Sequence, residues 1–217
     1  KKIGKDIECY AFGGNAMMFY GYKDETKDVD LYFDEEEDRN QFIKAIASLG
    51  FLETSPIKIY IEEKLRDKHR PLMYKREETR FDLFVKKIFH TVISPKMRDD
   101  VFAVHEFKDK FNLKVKVLRK EFIVMLKAVT ERDKDFEDIL TIIKKEKNFN
   151  WQYLIEEAVW QFNNGDTWVV MDLEEVMKEL QKDVFIEQKY FKALYNAKSA
   201  EKEVVKNKNS NKKKHNK

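Results

Sequence analysis

The chain has one cysteine, Cys9, in 217 residues, and it lacks any apolar run near the roughly 20 residues of a membrane-spanning helix. A single cysteine excludes an intrachain disulfide framework and is typical of a reducing compartment. Residues 1–8 are rich in charge and lack the apolar core of a secretory signal. These absences together predict a cytoplasmic protein with no membrane span.

The sequence also lacks the Cys and His spacing of a structural zinc site. His90 and His105 stand isolated, with no second Cys or His at ligand spacing. Isolated histidines are more often surface or hydrogen-bonded side chains than ligands. We therefore expect neither of them to take part in a metal centre.

What the chain does contain is charge and aromatic bulk. Apolar residues make up 42%, with 17 phenylalanines, so a sizeable core is possible although 38% of the residues are charged. The net charge is +3, and residues 201–217 hold seven Lys and two Glu, which leaves −2 for the rest. Residues 198–217 have no apolar pattern and are predicted to be a disordered basic tail. Solubility and contact with nucleic-acid phosphates are the two roles open to such a tail.

Two acids, Asp28 and Asp30, flank Val29 at the start of an apolar run. Alternate residues of a strand point to the same face, so a strand here projects both carboxylates together. Close carboxylates repel each other unless a cation neutralises them, and Mg²⁺ prefers oxygen ligands and substrate phosphates. Two-metal phosphoryl-transfer sites need bridging carboxylates of this kind. The pair therefore indicates a Mg²⁺ or Mn²⁺ site, with a solvated strand end as the alternative.

A Gly13-Gly14 pair follows residues 5–12, which we predict to be the first strand. A turn without side chains lets backbone N–H groups approach a phosphate closely. Asn15 is a good N-cap for a helix over residues 14–21, and a helix N-terminus favours an anion. An isolated Gly-Gly is usually only a turn. Followed by a helix and an acid-bearing strand, it predicts phosphate and metal binding at one sheet edge.

The joint pattern, Gly-Gly and then Thr-Lys-Asp-Val-Asp over residues 26–30, resembles the signature of the DNA polymerase beta-like nucleotidyltransferase superfamily. It is most similar to the abortive-infection (AbiEii-type) toxin nucleotidyltransferases and their uncharacterised prokaryotic relatives. The resemblance implies nucleotide contacts at four residues of the motif, which are Gly13, Gly14, Asn15 and Thr26. Many members carry Ser or Thr where this chain has Asn15.

The same family places a third acid on a neighbouring strand, and Asp82 in Arg-Phe-Asp-Leu-Phe-Val fits that place. The resemblance implies that the catalytic metal ligands are Asp28, Asp30 and Asp82. An acid flanked by apolar residues in a strand needs a metal or another partner. The alternatives are that Asp82 faces solvent, or that it pairs with Arg80 or Lys75.

A second segment, residues 125–139, resembles another element of the family. It contains Leu-Lys, a short gap and then Arg-x-Lys-Asp-x-x-Asp, which in the family lies beside the nucleotide. The resemblance implies that Lys127 contacts the triphosphate and that Asp135 positions this lysine or the base. An unpaired lysine within an apolar run would be costly. The alternative is a helix-turn-helix in which an aspartate caps the second helix and surface charges pair at i and i+4.

The periodicity of the whole chain predicts an α/β (α+β) fold. We expect a nucleotidyltransferase core with a mixed twisted sheet and flanking helices over residues 1–118, and a helical C-terminal domain over residues 119–197. The site is expected in the cleft between them. Ser94 is predicted to cap a short helix, and residues 64–70 are predicted to be a polar loop. Further strands are predicted over 28–34, 51–53, 57–61, 71–75, 80–89, 101–105 and 112–117.

The resemblance implies that a nucleoside monophosphate passes from a nucleoside triphosphate to a hydroxyl group. The implied acceptor is RNA, such as a tRNA 3′ end, or a protein, within a toxin–antitoxin or defence system that supplies a cognate partner. A non-catalytic antitoxin or RNA-binding module of the same fold is the alternative, and it differs by not binding metal with nucleotide. A nuclease that uses the same acids would leave the Gly-Gly turn unexplained.

Overall fold

A computed structural model describes residues 4–130, 132 and 134–200. The chain divides into two compact units, one within residues 1–149 and one within residues 150–217. In the described residues, no helix is long and apolar enough to cross a membrane. The predicted basic tail lies outside the described residues from residue 201 onward, whereas residues 198–200 are helical.

In the described part of the first unit, seven strands form one mixed sheet in the order β3-β4-β5-β2-β1-β7-β6. β1 pairs in parallel with β7, and β2 pairs in parallel with β5, while the other neighbours are antiparallel. The strands are β1 (Ile7–Phe12), β2 (Asp28–Phe33), β3 (Leu52–Thr54), β4 (Leu72–Arg76), β5 (Thr79–Val85), β6 (Val101–Lys108) and β7 (Asn112–Leu118).

Helices connect and follow these strands, so the chain has the mixed α/β class that its sequence predicts. Those of the first unit are α1 (Gly13–Phe19), α2 (Glu36–Ala47), α3 (Glu62–Arg66), α4 (Pro95–Asp99), α5 (Lys120–Thr130) and α6 (Asp135–Lys145). The sequence-predicted boundary near residue 118 falls between β7 and α5. The first compact unit extends to residue 149, so α5 and α6 belong to the unit that contains the sheet.

The second unit contains α7 (Trp151–Asn163), α8 (Val169–Leu180) and a helix over residues 188–200. Between the first two, Gly165 has a φ of +103°, a left-handed conformation that glycine adopts easily. Asp166 then accepts hydrogen bonds from the backbone N–H groups of Trp168 and Val169 at 3.3 and 3.1 Å. These bonds satisfy donors at the start of α8 that have no partner within the helix.

The core of the first unit follows β1 and β2, whose side chains are mostly buried, and residues 82–84 of β5. Phe84 of β5 is 1% exposed and lies edge-to-face with Phe12 of β1 and with Phe89, at ring-centre distances of 5.4 and 5.6 Å. The β3 and β6 strands at the two edges expose many more side chains. The buried centre of the sheet therefore provides rigid support for the side chains of β2 and β5.

Local predictions held where one residue dominates its own turn. Ser94 caps α4 as predicted, because its Oγ accepts a hydrogen bond from the Met97 backbone N–H at 3.1 Å. The strand predicted over residues 57–61 is wrong. Pro56 begins a 3₁₀ turn there, with Ser55 Oγ accepting from the Ile57 backbone N–H. The predicted loop over residues 64–70 is likewise wrong at its start, because α3 extends to Arg66.

Asn15 is not an N-cap, which corrects the prediction for α1. The helix begins at Gly13, its N-cap position is Phe12, and no side chain caps it. The Asn15 side chain instead lies inside the first turn and accepts a hydrogen bond from the Asp30 backbone N–H at 3.1 Å. The sequence pattern could not show this bond, because it depends on the packing of α1 against β2.

We expect Phe84→Ala to lower the free energy of unfolding by about 3–5 kcal/mol, because it leaves a cavity between two aromatic neighbours. The matched control is Leu52→Ala in β3, where the side chain is 73% exposed and the loss should be under about 1 kcal/mol. Urea unfolding followed by circular dichroism measures both. Equal losses in the two variants would contradict the placement of the core.

Candidate functional site

The three predicted acids meet on one face of the sheet, because β2 and β5 are parallel neighbours in a fixed register. Asp30 lies opposite Asp82, and Asp28 lies opposite Arg80. Side chains two residues apart on a strand share a face, so Asp28 and Asp30 of β2 lie on the same face of the sheet as Asp82 of β5. The result is a group of three carboxylates, Asp28, Asp30 and Asp82, which we call the carboxylate cluster.

Asp82 is fully buried and is held by two side chains. Arg80 donates to it with one edge of its guanidinium, Nε to Oδ1 at 2.6 Å and Nη2 to Oδ2 at 3.1 Å. The Tyr60 hydroxyl lies 3.4 Å from Oδ2. Burial raises the pKa of Asp82, although the hydrogen bonds and charge of Arg80 oppose that rise. The partner weighed for Asp82 from the sequence, Arg80, is therefore present.

Asp28 lies at the rim of the cluster and has two cationic partners. Arg80 Nη2 is 3.0 Å from its Oδ1, and Lys134 Nζ is 2.8 Å from its Oδ2. Partial burial acts to raise the pKa of Asp28, but the hydrogen bond from Lys134 and the charge of Arg80 outweigh it and lower the pKa. Asp28 is thus ionised at neutral pH, and it pairs with two cationic side chains.

Asp30 is the acid whose charge is least compensated. Its side chain is buried, and burial together with the charge of Asp82 raises its pKa to about 6, against the opposing charge of Arg132. A carboxylate in this environment gains more than its neighbours from any added positive charge. The position of Asp30 therefore marks the point in the cluster where a cation would be bound most favourably.

The two glycines lie directly against the residues of the acid-bearing segment. Gly13 has a φ of +67°, and a Cβ there would stand 2.1 Å from Asp30 Oδ2. A Cβ at Gly14 would stand 2.7 Å from Thr26 Oγ1. Thr26 Oγ1 in turn donates to the Asp28 carbonyl at 3.1 Å and lies 3.3 Å from the Asp28 backbone N–H. The Gly-Gly pair therefore allows Asp30 and Thr26 to approach the start of α1.

The second predicted segment forms a buried charged network between α5 and α6. Lys127 Nζ donates to Asp135 at 2.9 Å and to Asp138 at 2.7 Å. Thr130 and Arg132 also donate to Asp135. The pKa of Asp135 is well below its usual range because the charges of Lys127 and Arg132 outweigh the opposing effect of burial. Asp135 is the first residue of α6 and forms an ion pair with Lys127.

Lys134 and Arg132 bring the α5–α6 segment to the carboxylate cluster. Lys134 reaches Asp28, and the charge of Arg132 acts on Asp30. The structure therefore brings Lys127 and Asp135 close to the three acids through the intervening Arg132, as one connected set of charges.

The donor set fits a hard divalent cation in its chemistry, because it offers three carboxylates, one of which lacks full compensation. The arrangement of these side chains, however, does not match that of a metal site. Within residues 4–130, 132 and 134–200, no three His, Cys, Asp or Glu side chains are already arranged as ligands around one point. Arg80 and Lys134 instead pair with the oxygens of Asp28 and Asp82. A cation could bind the cluster only if these side chains moved away from Asp28 and Asp82.

A cavity of about 870 Å³ lies on the opposite face of the sheet from the acids. Val29 and Leu31, which alternate with the acids along β2, form part of its wall. The lining is largely apolar and aromatic, and its polar members are Asn15, Thr26 and Asp109. Asn15 and Thr26 contact both this cavity and the acid-bearing strand.

Comparison with protein-family models finds no match, and comparison with curated protein sequences also finds none.

Several residues of this site were not assigned a role from the sequence. Arg132 and Lys134 lie inside the second motif. The alternation of basic and acidic residues in that motif was the pattern that could have indicated a role for them. Tyr60 carried no signal, because it fell in a segment that was predicted to be a strand. Its place beside Asp82 depends on the turn that Pro56 begins.

We expect Gly13→Ala to destabilise the protein by about 3 kcal/mol or more, because the added Cβ collides with Asp30 and the left-handed backbone is itself unfavourable. Gly21→Ala is the matched control, since Gly21 has a φ of +71° with no atom within 4 Å of the added Cβ. It should lose only the roughly 1–2 kcal/mol of the backbone term. Thermal and urea unfolding compare the two, and equal losses would refute the close contact with Asp30.

Asp30→Asn should stabilise the metal-free protein at pH 7.5 by about 2–3 kcal/mol, since each pKa unit is worth about 1.4 kcal/mol. The pKa of Asp30 rises from 3.8 to about 6 on folding. The native state therefore holds this proton more tightly, and the contribution of Asp30 to stability falls as the pH rises from about 4 to above 6. The variant and the wild type should be nearly equal at pH 4.

The measurement is urea unfolding in EDTA at several pH values between 4 and 8. Asp24→Asn, which removes an exposed acid from the same segment, should leave the pH dependence unchanged. A wild type that is more stable than Asp30→Asn at pH 7.5 would show that the buried charge is fully compensated.

Proposed function

We propose that this chain is a metal-dependent nucleotidyltransferase, which moves a nucleoside monophosphate from a nucleoside triphosphate to a hydroxyl acceptor. The observation that carries the proposal is the register of β2 and β5, which sets Asp30 opposite Asp82 with Asp28 beside them. The contact of Gly13 with Asp30 supports it, because it joins both parts of the first motif in one place. The assignment of residues 1–118 as a nucleotidyltransferase core belongs to the same proposal.

Asp28, Asp30 and Asp82 would hold Mg²⁺ or Mn²⁺. When bound, the metal would neutralise the carboxylates and withdraw charge from phosphate oxygens. The buried, incompletely compensated Asp30 gives the binding its driving force. Arg80 and Lys134 would then give up their contacts with the acids and remain nearby as positive charges.

In the proposed reaction, Asp82 takes the proton of the acceptor hydroxyl, and the acceptor oxygen forms a bond to the α-phosphorus. The bond from the α-phosphorus to its bridging oxygen breaks, and pyrophosphate leaves beside Gly13, Gly14 and the α5–α6 segment with Lys127. A raised pKa suits Asp82 to this task, because a carboxylate that holds a proton more tightly is the stronger base. Positioning and charge neutralisation supply most of the catalysis.

The acceptor class follows from the resemblance in the first motif. It is RNA, with tRNA 3′ ends as the leading case, or a protein hydroxyl, within a toxin–antitoxin or defence system that supplies a cognate partner. Asn15 and Thr26 take part by holding the backbone of β2, through Asp30 and Asp28 respectively.

A second candidate is a non-catalytic module of the same fold, acting as an antitoxin or RNA-binding scaffold. One observation favours it: the Arg80 guanidinium already occupies both oxygens of Asp82. A protein that never binds metal could keep the acids for this internal bond alone. The two candidates differ in metal binding, because only the transferase must release Asp82 from Arg80.

We expect radiolabel from one α-³²P nucleoside triphosphate to appear on RNA or protein when the chain is incubated with Mg²⁺ and total RNA. The Asp28→Ala/Asp30→Ala double variant should lose at least about 10³-fold of this transfer, because it removes two of the three charges that bind metal. Asp24→Ala/Glu25→Ala removes two exposed acids just upstream and should keep wild-type activity.

Transfer by the folded Asp28→Ala/Asp30→Ala variant at the wild-type rate would rule out the proposed site. Absence of transfer by the wild type calls for Mn²⁺ binding measured by electron paramagnetic resonance, with and without nucleotide. A folded wild type that binds neither Mn²⁺ nor nucleotide would favour the binding module instead.

A further inference from the structure

One end of the Arg132 guanidinium is committed and the other is not. Nε and Nη2 donate to the two oxygens of Asp135 at 3.0 and 3.3 Å. Nη1 is buried and has no hydrogen-bond partner among the described residues. A buried charged donor without an acceptor is costly, so a group that is absent from the free protein is the expected acceptor.

The surroundings of Arg132 place its guanidinium near the carboxylate cluster. Its charge is the leading favourable influence on buried Asp30 and also acts on Asp82. Its guanidinium carbon lies 5.8 Å from the centre of the Tyr60 ring, and the Tyr60 hydroxyl approaches Asp82. Arg132 therefore stands between Asp135 and the carboxylate cluster, where a group bound to the cluster would meet it.

Lys127 is in the opposite situation. Its side chain is 2% exposed, and its ammonium lies within 2.9 Å of two buried carboxylates, Asp135 and Asp138. To reach a phosphate it would have to leave both, and breaking a buried ion pair leaves an uncompensated charge, which is strongly unfavourable. Lys127 is therefore a poor choice for a direct ligand contact, although the motif contains it.

We propose that Arg132 makes the direct contact with a phosphate oxyanion of the bound substrate, and that Lys127 acts as a positioning residue through Asp135. This inference rests on the proposed nucleotidyltransferase function, and it assigns separate tasks to two residues of one motif. Lys127 fixes Asp135, Asp135 orients the Arg132 fork, and the free Nη1 then points at the bound anion. A planar guanidinium suits this task because it can bind a carboxylate with one edge and a phosphate with another.

Binding of inorganic triphosphate in Mg²⁺ buffer tests the assignment, with isothermal titration calorimetry on the full chain at several salt concentrations. Arg132→Gln should weaken binding by about 10- to 100-fold, the usual effect of losing a charged hydrogen bond. It should also flatten the salt dependence, because one ionic contact is gone. Lys127→Met should lower the melting temperature but keep the salt dependence of the wild type.

Two control variants separate a direct contact from a structural effect. Thr130→Val removes another donor to Asp135 and leaves the guanidinium in place. Lys27 is adjacent to Asp28 in sequence and pairs with Glu78, and Lys27→Gln removes this exposed cation. Both should bind triphosphate within about threefold of the wild type, which is under 1 kcal/mol at about 1.4 kcal/mol per tenfold change.

Arg132→Lys carries the test if Arg132→Gln does not fold, because it keeps the charge and loses the two-edged fork. It should bind triphosphate about 3- to 10-fold more weakly than the wild type. Wild-type affinity in a folded Arg132 variant would overturn the inference, as would a flattened salt dependence in Lys127→Met alone. A wild type that does not bind triphosphate would also overturn it. None of these readings uses transfer, so they stay separate from the test of the transferase itself.

Discussion

Asp30 and Asp82 are buried side by side in neighbouring parallel strands, and the rest of the site depends on how their charges are balanced. Two carboxylates so placed cannot both remain ionised without nearby positive charge. The protein supplies it from β5 through Arg80 and from the segment before α6 through Arg132 and Lys134. This balance links the sheet to the α5–α6 pair, and it explains why the first unit extends beyond the last strand.

The cations around the cluster differ in how easily they can leave. Arg80 binds two acids of the cluster and is itself largely buried, whereas half of the Lys134 side chain is exposed. A metal ion would bind such a cluster only by replacing one of these side-chain cations. Its affinity would then depend on the difference between two large electrostatic energies, and would be sensitive to salt and to single charges nearby.

The sequence carried the information on which elements exist better than the information on how they end. The Asp28 and Asp30 pair and the Ser94 cap each depend on a few adjacent residues, and the alternation of Asp28 with Val29 correctly separated two faces. The turn predicted at Gly13-Gly14 is wrong, because these residues are the first two of α1. Asn15 was wrongly taken as a cap, because its actual acceptor role requires β2 to be packed against α1. The strand predicted over residues 57–61 failed for a related reason, since Pro56 and Ser55 favour a turn over the apolar pattern. The partners of Asp82 and Lys127 were within reach as residue types, but the choice among them depends on contacts between distant segments.

The alternation along β2 also determines which strand pairings the chain can adopt. If β2 slipped by one residue against β5, Asp28 and Asp30 would turn toward the aromatic wall on the reverse face, and Val29 would turn toward Arg80. That arrangement would bury two anions among phenylalanines and leave the arginine without its acids, so it would be strongly disfavoured. The charges of the site thus select the correct register during folding. A chain in which they are neutralised would depend on the apolar alternation of Val29 and Leu31 alone to set this register.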